Sequence, residues 1–131
     1  MFQRIRILIA DDHDALRRAV RNLFESRSEF EVCGEAKDGA QAVKKSAELS
    51  PDVVLLNVFM PIMNGFETAR QIRAASPRSR IVILSSYTDQ QLLEEARSVG
   101  AFCYVATADA ERELIEALKP PERGLSSAPL S

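Results

Sequence analysis

The chain has 131 residues, a formal net charge of -2, and 46% apolar against 27% charged residues. Those values describe one ordinary globular domain with enough apolar side chains for a core, and they exclude wholesale disorder. They also exclude a general pull toward nucleic acid, which rewards clustered Lys and Arg, and no apolar run reaches the roughly 18 residues of a membrane helix.

The first residues enter a strand pattern at once, without the apolar leader and cleavage site of an exported protein, so the expectation is a cytoplasmic location. Ile5 to Ala10 is an apolar run of strand length. Leu16, Ala19, Val20, Leu23 and Phe24 then recur at helical spacing, and Arg17, Arg18 and Arg21 on the other side read as a solvated face. Phe30 to Cys33 alternates as an edge strand does. Asp38, with Gln41 three residues on, predicts a capped helix from about Ala40 to Leu49.

Pro51 separates that helix from a central strand, Val53 to Asn57. Asn64 caps a third helix that turns Phe66, Ala69 and Ile72 inward and stops at Pro77. Ile81 to Leu84 is a fourth strand closed by Ser85 and Ser86. Thr88 and Gln91 read as a capping box for a helix from Gln90 to Val99, with Gly100 at its end. Phe102 to Ala106 and Ala110 to Lys119 complete the series as a strand and a helix. Residues 120–131, rich in Pro, Ser, Ala and Gly, read as a flexible tail or truncated linker, so the expected domain is 1–119. Cys33 and Cys103 fall inside strand-like runs and are expected as buried free thiols.

Strands alternating with helices predict an α/β fold, a doubly wound parallel sheet covered on both faces. Right-handed crossovers then place ligand chemistry at the carboxyl ends of the strands. Asp11, Asp12, Asn57, Ser85 and Thr107 all fall just past strand ends, and this convergence is the strongest constellation in the chain. Each also has a plainer reading. Asp11 and Asp12 suit a helix N-terminus, Asn57 suits a turn, and Ser85 suits a local backbone bond. Tyr104 reads as a half-buried strand aromatic, and His13 is assigned no chemistry.

Asp11-Asp12-His13, Pro51 through Asn57, Met60 through Gly65, Ser85, and Gly100 through Tyr104 together resemble the receiver domain of bacterial response regulators. The likeness runs from Arg4 to Lys119. It is most similar to receivers that precede a helix-turn-helix output domain, and no such domain is expected within these 131 residues. The resemblance implies a flavodoxin-like (βα)5 fold with strand order 2-1-3-4-5 and a role in two-component signalling. It also implies a magnesium site at Asp11, Asp12, the residue at 57 and the Phe59 carbonyl. Ser85 and Tyr104 take the switch positions. A docking face over residues 90–119, with Gln91, Glu94, Glu95 and Arg97 exposed, would serve a histidine kinase, an output protein or a second copy.

Two positions depart from that pattern. The acceptor aspartate is Asn57, and the lysine position is Thr107, followed by Ala108 where a cis proline is usual. A carboxamide has no oxyanion with which to attack phosphorus. Three carboxylates in one site repel by about 4 kcal/mol per pair at 4 Å and an effective dielectric near 20, so losing one acid and the one base together is self-consistent. The expectation is a non-enzymatic pseudo-receiver acting by protein contact, with Mg2+ held only weakly. A conventional receiver carrying an introduced Asn57 is the alternative. A small phosphate-handling enzyme is the remote one, since no Gly-rich loop follows the first strand.

Overall fold

The protein is described by a computed structural model covering residues 3–60, 62–87 and 89–118. Five strands alternate with five helices: β1 (Ile5–Ala10), α1 (Asp14–Glu25), β2 (Phe30–Ala36), α2 (Gly39–Leu49), β3 (Val53–Asn57), α3 (Gly65–Ala75), β4 (Arg80–Ser85), α4 (Gln90–Ser98), β5 (Cys103–Ala106) and α5 (Ala110–Leu118). All pairings are parallel, and the order is β2-β1-β3-β4-β5. This is the flavodoxin-like arrangement the sequence implies.

Strand side chains alternate between the two faces, so each strand feeds two cores. Leu8, Val54, Leu56, Ile81 and Ile83 pack with Phe66, Ala69, Ile72 and Ala96 on one face. Ile7, Ile9, Val53, Leu55, Val82 and Leu84 pack with Val20, Phe24, Leu114 and Leu118 on the other. Burial on both sides explains why the inner strands read as continuous apolar runs rather than alternating ones.

Several local expectations hold and others shift. Asp38 accepts from Gln41 N at 2.8 Å, and Asn64 accepts from Glu67 N at 2.9 Å, as capping residues do. The α4 cap is Asp89, which accepts from Leu92 N at 2.9 Å; the expected Thr88 lies outside the described residues, as do Lys119 and the segment 120–131. β2 extends three residues past the expected Cys33, because a bulge shifts the register between Ile7–Val32 and Leu8–Gly34 and lets Gly34 stay in the sheet. Ala19 is exposed rather than part of the apolar stripe. Cys33 and Cys103 are free but only partly buried. Burial nevertheless pushes the Cys103 thiol up to about 11.

The largest correction concerns the arginines. Arg17 is only 8% exposed, although it reads as part of a solvated face. Its Nη1 donates to the Asp11 carbonyl at 2.7 Å, its Nε to Glu35 at 2.7 Å and its Nη2 to Asp14 at 2.5 Å. Arg21 also reaches Glu35 and, at 3.0 Å, Glu25. A guanidinium with each of its three nitrogens bonded to an acceptor tolerates burial that an unpaired one does not.

Candidate functional site

β1 and β3 are adjacent parallel strands, so their ends bring Asp11 beside Asn57. Asp11 is buried and does not cap α1. The N-cap is His13, which makes no side-chain cap bond, while Asp11 Oδ1 accepts from the His13 backbone N–H at 2.9 Å. The carboxylate thus shapes the loop after β1. The capping explanation fails for Asp11.

Asn57 is the last residue of β3, and its amide faces two ways. Nδ2 donates to Asp11 Oδ1 at 3.1 Å, and Oδ1 accepts from Phe59 N at 3.1 Å. A carboxylate here would set negative oxygen against negative oxygen and need a cation between them. The amide supplies the missing donor itself, joining the β1–α1 and β3–α3 loops without one. Just beyond, Gly65 N donates to Val58 O at 2.7 Å. A Cβ on Gly65 would lie 2.5 Å from the Asn57 carbonyl oxygen, so only glycine permits this approach.

The other expected residues are placed less uniformly. Ser85 is buried at the end of β4, and its Oγ accepts from Tyr87 N at 3.1 Å, a local backbone bond. Thr107 opens a short 3-10 turn between β5 and α5. It lines a cleft of about 300 Å³ with His13, Ala15, Leu16, Asn57 and Ser86, so the hydroxyl on the cleft wall after β4 belongs to Ser86. Tyr104 is half-buried, and its hydroxyl donates to the Tyr87 carbonyl. Phe59 and Tyr87 stand exposed above the site, edge to face at 5.3 Å. Asp12 is exposed and lies beside the His13 imidazole, 3.3 Å from its Nδ1.

Sequence reasoning missed three contributors here: His13, Arg17 and Glu35. Arg17 follows Asp14 by three residues, a spacing that places both on one helix face, and that was the available signal. Burial is the largest single influence on Glu35 and raises its carboxyl. The hydrogen bonds from Arg17 and Arg21 outweigh it and hold the group below the usual glutamate range.

A 2-1-3-4-5 parallel sheet with an acidic pair ending β1 and a polar residue ending β3 defines the CheY-like class of signalling domains. The comparison with known families gives the second step: residues 7–119 match the response regulator receiver domain, and the chain belongs to that family. It is 32% identical over 120 residues to the transcriptional regulatory protein LiaR of Bacillus subtilis, covering 92% of this chain and 57% of that protein. With the response regulator VraR of Staphylococcus aureus it shares 29% over 122 residues, 93% of this chain and 58% of the relative. The signal receiver domain of the putative response regulator NarL from Mycobacterium tuberculosis superposes with a TM-score of 0.84 at 28% identity, over 88% of this chain and 94% of that one. The chain spans little more than half the length of the curated relatives it matches.

Receiver domains bind Mg2+ at this acidic site, and the corresponding cluster is in place. The residues fit a weakly held ion. Asp12 is free to ligate, but Asn57 presents an N–H donor toward Asp11 and would have to turn its amide over, losing the bond from Phe59 N. Mg2+ prefers carboxylates and gives up its waters reluctantly, so this exchange is unfavourable. Among the described residues no helix is long and apolar enough to cross a membrane.

Proposed function

We propose that this receiver is a pseudo-receiver: a cytoplasmic, non-enzymatic module of two-component signalling that works by protein contact. The observation that carries the reading is the Asn57 amide, bonded through Nδ2 to Asp11 and through Oδ1 to the Phe59 N–H. A carboxamide in the acceptor position is not a phosphoryl nucleophile, and this one already occupies the hydrogen bonds around it. Thr107 in the lysine position fits the same reading, since no developing phosphoryl charge needs a cation there. Asp11, Asp12, Asn57 and the Phe59 carbonyl are then a vestigial metal set. Ser85 and Tyr104 are former switch positions engaged with Tyr87.

The working surface in this reading is the face built from residues 90–119, where Gln91, Glu94 and Arg97 are exposed and Glu95 pairs with Arg70 at 3.1 Å. Its partner is a kinase, an output protein or a second copy, with neither membrane nor nucleic acid contacted by this domain. In the same proposal residues 1–119 form the domain and 120–131 a tail or truncated linker.

Side-by-side incubation of the unaltered protein and Asn57→Asp with acetyl phosphate tests the proposal. No phosphoryl incorporation is expected in the unaltered chain. Stable incorporation would establish a conventional receiver. Calorimetry should give a Mg2+ affinity weaker than millimolar, strengthened by Asn57→Asp; a micromolar affinity in the unaltered chain contradicts the vestigial site.

A further inference from the structure

We propose that the apolar rim around the cleft is a docking surface for a second copy of this chain, seated through that copy's opposite, arginine-bearing pole. Among the described residues, the large apolar side chains that stand exposed are Phe59, Ile62 and Tyr87, at 53%, 81% and 58%. All three follow the carboxyl ends of β3 and β4, and the Phe59 and Tyr87 rings meet edge to face at 5.3 Å. Single apolar residues scattered over a surface need no explanation, whereas a group of them on one rim marks a contact. Ile62 strengthens the point. Its backbone holds φ 74, a strained conformation for a β-branched residue, and no burial of its side chain offsets that strain.

Charge identifies the occupant. All five strands are parallel, so residues just after them share one pole and residues just before them share the other. Asp12, next to the Asn57 partner Asp11, and Asp89, two residues after Tyr87, add exposed carboxylates to the apolar rim. Helix dipoles account for acids near helix starts, but not for the aromatics exposed beside them. At the opposite pole Arg4, Arg27 and Arg78 are exposed ahead of β1, β2 and β4. Arg4 donates to the neutral carbonyls of Ser28 and Phe30, at 3.3 and 2.9 Å, bonds that leave its charge uncancelled. Arg78 pairs with Asp52 at 2.6 Å, yet its side chain is 65% exposed. Guanidinium groups suit a surface of aromatic rings edged by carboxylates. Rim against rim is disfavoured, because Asp12 and Asp89 of both copies would meet like charge.

Pole against rim is a heterologous contact: each copy uses two different surfaces, and the contact extends a row of copies instead of closing at two. Three side chains are a small patch beside the roughly 800 Å2 per partner of a stable interface, so association is weak and needs high protein concentration. The docked copy lies over the cleft that Asn57 lines, and a kinase reaching for that cleft competes with it. None of this uses the Asn57 amide, so the contact stands apart from the pseudo-receiver reading.

Sedimentation equilibrium of the full chain over about 0.02–1 mM spans the weak affinities expected of so small a patch. The weight-average mass should climb with concentration past that of a dimer, and about 0.5 M NaCl should reverse most of the climb. Phe59→Ser/Tyr87→Ser removes the rim and Arg4→Gln/Arg78→Gln removes the pole, with circular dichroism melts checking that each folds. Each variant alone should associate about tenfold more weakly, or not at all. Mixed in equal amounts they should pair, because each keeps the surface the other lacks, and the pairs should stop at dimers. Ile62→Gly should weaken association without loss of stability. A chain that stays monomeric throughout, stops at a dimer, or associates regardless of salt overturns the proposal. So do folded variants that associate as the unaltered chain does, or that fail to pair when mixed.

Discussion

At the scale of single residues, the site is governed by who supplies positive charge or a donor to a buried oxygen. Asn57 does so for Asp11 from within the protein, and Arg17 does so for the Asp11 carbonyl and for Glu35. Removing the guanidinium leaves partly buried acceptors unanswered. Arg17→Met should therefore lower unfolding stability by about 2 kcal/mol, less than for a fully dry pair because Glu35 remains partly wet. Urea denaturation measures it, and a change below about 0.5 kcal/mol would show the network to be ornamental. Glu35 also predicts a pH dependence. Its folded pKa is depressed, so its contribution is present above the ordinary value and is lost as pH falls through the folded one. The stability gap between the unaltered chain and Glu35→Gln should be full at neutral pH and close in the acid range below the ordinary glutamate pKa. These residues were the least legible in the sequence. Helical spacing assigned Arg17 to the polar side, and nothing local told that a neighbouring strand's Glu35 would meet it. Asn57 was legible because a motif surrounds it.

At the scale of elements, most boundaries were readable because the cues are local. Asp38 and Asn64 were recognised as caps from their own flanks; β2 was cut short because its reading rested on the alternation from Phe30 to Cys33, while the bulge that carries the strand on through Gly34 depends on β1. Two loops beside the site carry predictions. Ile62 sits at φ 74 with 81% exposure, a left-handed conformation that a β-branched side chain adopts only under strain. Ile62→Gly should raise stability by roughly 0.5–1 kcal/mol, since the relief of about 1–2 kcal/mol exceeds the added unfolded-chain entropy. A loss would mean that the exposed side chain holds the loop. Gly65→Ala should do the opposite. Its new methyl meets the Asn57 carbonyl oxygen and the Val58 Cα, both backbone, and the start of α3 must move. A fall in melting temperature should accompany altered amide resonances at Asn57 and Phe59.

At the scale of the whole molecule, strand–helix alternation and continuous apolar runs made the sheet legible, because burial on both faces writes itself into composition. The pairing of Arg17 with β2, and the choice of Ser86 over Ser85 on the cleft wall, depend on three-dimensional neighbours and were not. Cys103 gives a global readout of packing between β5 and the rest. Its thiol is raised to about 11, so the folded chain keeps a proton that the unfolded chain releases above pH 9, and stability should decline between those values. Cys103→Ala should flatten that decline, and an unchanged alkaline profile would place its cause elsewhere. Finally, the Tyr104 hydroxyl fastens β5 to the stretch that follows β4 by holding the Tyr87 carbonyl. If that tether is permanent, the two tyrosines should show little exchange broadening on the microsecond-to-millisecond timescale. Tyr104→Phe should release it, making relaxation dispersion appear at Ser86 and Tyr87.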